Sequence, residues 1–188
     1  MRNACFRIVF AAILLAGCDP AGLPQFTGTS AAPTGTAETI TADNPAKWTG
    51  KVIGVTDGDT IDVLTDQKQV IRVRFNGIDT PERGQPFGNN AKQFVSDAVF
   101  GKPVTIVGHG IDRYDRTLGD VIHEDKSLNC DLVTAGLAWH YKAYSDDEQL
   151  AAAELKARAA GKGLWSDPRH VAPWDWRKLS KVERDELR

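Results

Sequence analysis

Short runs of apolar residues predict a set of strands across the middle of the chain. Residues 52–55 and 61–64 are mostly apolar and flank a tight turn at residues 57–60, a pattern typical of a β-hairpin. Two later runs, residues 104–107 and 118–122, are also expected to be strands.

Alternation of apolar and polar side chains is cleanest across residues 70–76. Three apolar side chains fall on one face of this predicted strand, and Arg72 and Arg74 fall on the other. A half-buried strand therefore presents two guanidinium groups on its polar face.

Helical spacing of apolar residues appears later in the chain. Residues 91–99 predict an amphipathic helix that ends at Gly101, and residues 129–137 predict a short helix. A capping box at residues 145–148 is expected to open a helix that runs to Ala160. Strands, a helix, strands and two helices, in this order, predict a closed or nearly closed antiparallel sheet with helices packed on it.

The N-terminus has the features of an export signal. Residues 1–7 hold two arginines and no acid, and the nine apolar residues 8–16 are too short to span ~30 Å of hydrocarbon as a helix. The sequence Leu-Ala-Gly followed by Cys18 resembles a bacterial lipoprotein signal, which implies that residues 1–17 are removed and that Cys18 is lipidated. The alternative is an ordinary signal peptide with a chance cysteine.

The remaining chain divides into three predicted parts. Residues 18–46 are rich in Thr, Ala, Pro and Gly and form a flexible tether. A folded domain occupies residues 47–168, and residues 169–188 form a charged extension of unassigned role. We expect the domain to lie in the cell envelope, facing the periplasm or the exterior, unless proteolysis releases it.

Charge narrows the choice of function. The formal net charge is −2, and removal of residues 1–17, which hold two arginines and no acid, would make it more negative. Proteins that hold nucleic acid by bulk electrostatics are usually basic, so the balance disfavours a simple nucleic-acid-binding module. An enzyme that relies on a metal ion and a few placed arginines needs no positive net charge.

Two acidic clusters are candidates for chemistry. Asp-Gly-Asp-Thr at residues 57–60 and Asp-Thr-Pro-Glu at residues 79–82 each have an ordinary explanation, as a hairpin turn and a helix start. Together, at neighbouring strand ends, they could supply the oxygen ligands that a hard cation prefers. A third cluster, residues 112–119, is either a solvated loop or a loop that delivers an arginine to a phosphate.

The order and spacing of these motifs resemble the staphylococcal nuclease family over about residues 48–167. That resemblance implies an α+β fold, mainly β, with a five-stranded oligonucleotide-binding (OB-fold) barrel and three helices. It rests on the motifs at residues 57–60, 79–82, 112–116, 136–138 and 163–165, and on Arg74.

The resemblance also implies a cofactor and its ligands. Calcium is expected to bind the carboxylates of Asp59 and Asp79 and the backbone carbonyl of Thr80. Asp57 is expected to support these ligands without binding the ion itself. Glu82 is expected to position or deprotonate the attacking water.

The remaining implied roles concern the substrate. Arg74 and Arg116 are expected to bind the phosphate and stabilise the transition state, and Arg113 and Tyr144 to contact the nucleic acid. The implied activity is calcium-dependent hydrolysis of phosphodiester bonds in DNA or RNA by a monomer, with 3′-phosphate products. The choice between DNA and RNA, and between internal and terminal cleavage, stays open.

Two other functions compete with this prediction. Asp115 stands where the family has glycine, and its carboxylate is expected to compete with a phosphate for Arg116. This competition favours a catalytically inactive OB-fold module that binds nucleic acid or protein at the envelope. A structural calcium module is the third possibility, although such a module would not need the arginines.

Overall fold

The computed structural model describes residues 46–188. The signal peptide, Cys18 and almost all of the tether lie outside the described residues and stay predictions. Among the helices that are described, none combines the length and the apolar character needed to cross a membrane.

The described part contains eight strands and five α-helices. The strands are β1 (Lys47–Asp57), β2 (Thr60–Thr65), β3 (Val70–Phe75), β4 (Ile78–Asp79), β5 (Pro103–Ile111), β6 (Thr117–His123), β7 (Lys126–Ser127) and β8 (Trp139–His140). The helices are α1 (Gly88–Val99), α2 (Leu128–Thr134), α3 (Glu148–Ala159), α4 (Pro173–Trp176) and α5 (Lys181–Glu186), with a 3₁₀ turn at Gly163–Ser166.

Five of the strands form a closed barrel in the order β3-β2-β1-β5-β6. Four neighbouring pairs are antiparallel, and a parallel pairing of β3 with β6 closes the barrel through Val73 with Thr117 and Phe75 with Gly119. A Cβ at Gly119 would lie 2.8 Å from Cγ2 of Ile106, so glycine is needed where the two edges meet. The predicted OB-fold barrel with helices is confirmed, although the sheet is not wholly antiparallel.

The core lies between the barrel and the helices, as the alternation in β3 predicts. Val73 and Phe75 on β3 point inward and are at most 1% exposed, while Arg72 and Arg74 point the other way. Val95 of α1 is fully buried against the same cluster. Burying each such side chain contributes about 2 kcal/mol.

Two helix predictions need correction. Helix α2 ends at Thr134, three residues earlier than predicted, because Gly136 adopts a positive φ of 69° that turns the chain. Helix α3 begins at Glu148, but its N-cap is Asp147, whose carboxylate accepts the backbone N–H groups of Gln149 and Leu150. The capping box predicted at residues 145–148 is therefore wrong.

The two downstream glycine motifs meet in space. The backbone N–H of Leu164 donates to the carbonyl oxygen of Gly136 over 2.8 Å, and a Cβ at Gly163 would overlap that same oxygen. Gly163 also has a positive φ of 53°. Only glycine allows the chain after α3 to approach the turn after α2 this closely.

We predict that Gly163→Ala lowers the free energy of unfolding by about 3 kcal/mol or more, because it adds a backbone overlap to the strain of a positive φ. Gly161→Ala is the matched control, since Gly161 also has a positive φ but no atom within 4 Å of its Cβ position. That variant should lose only about 1 kcal/mol. Urea unfolding measures both, and equal losses would contradict the proposed close approach.

Candidate active site

The hairpin turn between β1 and β2 fixes Asp59. Its side chain is buried, and Oδ2 accepts both the backbone N–H and the hydroxyl of Thr80, at 2.7 and 2.8 Å. Asp57 supports the turn from behind, where its Oδ1 accepts the backbone N–H of Asp59 at 3.2 Å. The two bonds between Thr80 and Asp59 join the two acidic motifs across 21 positions of the sequence.

Arg74 connects the two aspartates. From the polar face of β3, its Nη1 lies 3.0 Å from Oδ2 of Asp59 and its Nη2 lies 2.9 Å from Oδ1 of Asp79. The Arg74 side chain is only 12% exposed, and Asp79 is almost completely buried on β4. One guanidinium therefore bridges both carboxylates that were predicted to bind metal.

Glu82 lies at the open side of this cluster. Its side chain is 38% exposed, and its backbone N–H donates to Oε1 of Gln85 at 2.9 Å. Its carboxylate is thus accessible to solvent, unlike those of Asp59 and Asp79.

A third arginine, Arg177, reaches the same carboxylates from the C-terminal extension. Its Nη2 donates to both oxygens of Asp79, at 2.8 and 3.1 Å, and its Nε donates to Oε1 of Glu82 at 2.6 Å. Sequence reasoning missed this residue. The only signal available was a pair of tryptophans, Trp174 and Trp176, in an otherwise charged tail, which indicates packing against the domain.

Arg116 lies alongside β3 but has a different partner. The pairing of Val73 with Thr117 brings it next to that strand, and Asp112 holds its guanidinium at 2.6 and 2.8 Å. Within residues 46–188 no ion pair joins Arg116 to Asp59 or Asp79. Burial raises the pKa of Asp112, but hydrogen bonds from Arg116 and from the backbone of Tyr114 outweigh it, so the pKa is lowered overall.

Asp115 has the conformation that its position requires. Its φ is 61°, in the left-handed region that glycine normally occupies. In the described part of the chain Asp115 forms no ion pair with Arg116. The carboxylate that competes for Arg116 is therefore Asp112, and the expected competition from Asp115 is not seen.

The two predicted substrate contacts lie away from the carboxylates. The guanidinium of Arg113 stands 5.0 Å over the ring of Tyr114, on the exposed surface. Tyr144 is 77% exposed and meets Tyr141 edge to face, with ring centroids 4.8 Å apart. The structure brings neither Arg113 nor Tyr144 into contact with Asp59, Asp79 or Glu82 among the described contacts.

Comparison with known proteins identifies the family. A family model described as "Staphylococcal nuclease homologue" matches residues 72–167, about half of the chain. The chain belongs to the staphylococcal nuclease family. The residues matched by the family model end before Arg177, so this arginine lies beyond the part that the family model describes.

Relatives of this staphylococcal nuclease homologue agree with that assignment. A Haemophilus influenzae protein named "Uncharacterized endonuclease" is 39% identical over 143 residues, which cover 76% of this chain and 80% of that protein. "Protein ParB" from Escherichia coli is 41% identical, covering 75% and 85% of the two chains. "Micrococcal nuclease" from Shigella flexneri is 42% identical, covering 72% and 84%.

Electrostatics in the site of this family member show an excess of buried negative charge. Burial, followed by repulsion from Asp59, raises the pKa of Asp57 to about 6. Burial also raises the pKa of Asp79 to about 6, with Arg74 acting against it and Asp59 adding to it. Ionising these groups together is costly unless a cation compensates them.

The donor set suits a hard cation that keeps open positions. Within the described chain no three His, Cys, Asp or Glu side chains surround a possible metal position. Asp59 and Asp79 can supply two carboxylates, so further ligands must be backbone oxygen, water or substrate phosphate. Calcium and magnesium accept such mixed oxygen ligands, and their charge would relieve the repulsion at Asp57 and Asp79.

We predict that Asp57→Asn stabilises the metal-free protein at neutral pH but not in acid. The folded-state pKa of Asp57 is raised from its usual value to about 6, so ionising this carboxyl lowers the free energy of unfolding. That loss is absent below about pH 4, develops as the pH rises to about 6, and is complete above it. The variant should gain about 2 kcal/mol in free energy of unfolding between these limits. Urea unfolding in chelator at a series of pH values tests this, and a difference that stays constant with pH would contradict it.

Proposed function

We propose that this chain is a calcium-dependent nuclease that hydrolyses phosphodiester bonds in DNA, RNA or both. The observation that carries the proposal is a cluster of three acids at an OB-fold barrel: Arg74 bridges Asp59 and Asp79, and Arg177 joins Asp79 to Glu82. Names of relatives, "Micrococcal nuclease" and "Uncharacterized endonuclease", support the same class of activity.

Asp59 and Asp79 are the residues that would hold the cation. Both are buried and rigidly placed, and Thr80 lies next to Asp59, where its backbone carbonyl is proposed as a third ligand. Bound calcium would place positive charge against the substrate phosphate and orient water. Asp57 supports Asp59 through the backbone of the turn.

Glu82 is proposed as the general base. Its carboxylate is partly exposed, so water can reach it. The guanidinium of Arg177 binds both this carboxylate and that of Asp79, so the two acids lie close together. As the water oxygen bonds to phosphorus, Glu82 takes the proton that the water loses, and the bond from phosphorus to the 5′ oxygen breaks. The leaving oxygen takes a proton from solvent, and the phosphate stays on the 3′ oxygen of the other product.

Arg74 and Arg116 are proposed to hold the phosphate. A guanidinium has five N–H donors, so it can keep one carboxylate partner while donating to a phosphate oxygen. Arg116 uses Nε and Nη2 on Asp112, and its Nη1 makes no hydrogen bond within residues 46–188. This arrangement orients Arg116 while leaving a donor for the substrate.

The outer parts of the substrate site and the cellular location are also proposals. Arg113 and Tyr144 are exposed near the ends of two loops, where a nucleic-acid strand could contact them. The domain is proposed to act as a monomer, anchored to a bacterial membrane through lipidated Cys18.

We predict that the purified chain cleaves single-stranded DNA with calcium and stops in excess chelator. Glu82→Ala should reduce turnover at least about 100-fold, because the proton acceptor is lost. Gel analysis of a labelled oligonucleotide measures both effects and the end group of the product. A folded protein that cleaves nothing across a calcium and pH series would favour the inactive binding module instead.

We predict that Arg74→Ala and Arg116→Ala each reduce kcat by about 100- to 1,000-fold, the usual cost of removing a donor to transition-state charge. Arg72→Ala is the control, because Arg72 lies on the same strand but pairs with Asp62 and is 55% exposed. It should retain near-normal turnover. Urea unfolding confirms that each variant is folded, and a near-normal rate in either test variant would remove that arginine from the mechanism.

A further inference from the structure

The C-terminal extension is fixed against the site by contacts on both sides of Arg177. Trp176 is only 2% exposed, and the guanidinium of Arg184 donates to the carbonyl oxygens of Trp176 and Arg177 at 3.1 and 3.0 Å. On the other side, the Gln85 side chain donates to the carbonyl oxygen of Val171 at 2.7 Å. Because Gln85 also accepts the backbone N–H of Glu82, the extension is tied to the catalytic loop itself.

The extension also adds an aromatic ring beside Arg177. The ring of Trp174 stacks on Tyr141 with centroids 5.0 Å apart and planes 5° from parallel. These two rings and Lys142 line an open cleft of about 590 Å³ that reaches Arg177. Such a cleft offers a single-stranded nucleic acid aromatic rings on which bases can stack and positive charge for its phosphates.

Arg177 occupies the oxygens that a cation would need. Both carboxylate oxygens of Asp79 accept from it, and Oε1 of Glu82 accepts its Nε. Arg74 also binds Asp79, but its side chain is 12% exposed, whereas that of Arg177 is 45% exposed. Of the two guanidiniums, Arg177 is the one that can leave without stranding a buried charge.

A displaced Arg177 remains beside the site. Its carbonyl accepts from Arg184 and its neighbour Trp176 is buried, so the side chain can turn away from the carboxylates while the backbone stays in place. A nucleic-acid strand in the cleft would bring a phosphate beside Arg177, which lines the same cleft as the two stacked rings. A planar guanidinium suits phosphate as well as carboxylate.

We propose that Arg177 is a third arginine of the active site, which holds Asp79 and Glu82 in the free protein and transfers to the substrate phosphate when a cation takes the carboxylates. This proposal rests on the proposed nuclease function for its second half. It gives the extension, which lies beyond the part matched by the family model, a direct place in substrate binding.

The first test is calcium titration by calorimetry without nucleic acid, using the full chain. Arg177→Ala should bind calcium about tenfold more tightly, because a competing cation has been removed. Arg177→Lys should fall between, since an ammonium cannot bridge Asp79 and Glu82. Lys181→Ala is the control, because Lys181 carries the same charge on the same extension and forms no ion pair within residues 46–188; its affinity should not change.

The second test is DNA cleavage at calcium concentrations that saturate each variant. Arg177→Ala should lose roughly 10- to 100-fold in kcat/KM, mostly through KM, as expected for a lost charge-assisted bond to phosphate. Lys181→Ala should match the unmodified chain. Urea unfolding of each variant shows whether the extension still packs, and Arg177→Gln replaces the alanine variant if it does not.

The outcomes separate the two halves of the proposal. Unchanged calcium affinity in Arg177→Ala overturns the proposal, because Arg177 then does not compete with calcium for the carboxylates. Tighter calcium binding with unchanged or faster cleavage also overturns it, because Arg177 is then only a competitor. If the unmodified chain cleaves no DNA, the nuclease function fails, and the affinity for uncleaved single-stranded DNA in calcium takes the place of turnover.

Discussion

The site depends on the contact of Arg74 with two buried carboxylates. Asp59 comes from the β1–β2 turn, Asp79 from β4, and Arg74 from β3, so one guanidinium holds three segments of chain together. Burial strengthens these ion pairs and equally raises the cost of breaking one of them. Thr80 adds two hydrogen bonds to Asp59, which leaves the carboxylates little freedom to rearrange.

The barrel gives this charged cluster its rigidity. Arg74 lies on a strand bonded on both sides, to β2 and to β6, and the short β4 is held by β8 through Asp79 and Trp139. Burial, with repulsion from Asp59, raises the pKa values of Asp57 and Asp79, so the fold holds these carboxyls where their ionised forms are costly. Such local cost is typical of functional sites, where the surrounding structure holds groups that would otherwise move apart.

Local sequence patterns predicted the parts of the site that local geometry decides. Alternation along β3 placed Arg74 on the polar face, and the Asp-Gly turn placed Asp59 at a hairpin. The helix cap failed because α3 begins two residues later, where the Asp147 carboxylate accepts the N–H groups of Gln149 and Leu150. Arg177 could not be predicted, because its partners lie 98 and 95 residues earlier and no periodicity links such distant positions.

The three arginines differ in how firmly each is held, and this difference orders their roles. Arg74 is buried between two carboxylates, and among the described residues it is the only ion-pair partner of Asp59, so it cannot leave without stranding a buried charge. Arg116 is held by Asp112, outside the cluster, and is therefore oriented whether or not a cation is present. Arg177 alone binds the cluster from a half-exposed position, which is why we propose that it is the first of the three to be displaced. Under the proposed function, a cation would therefore displace the most exposed of the three arginines and leave Arg74 with its two carboxylates.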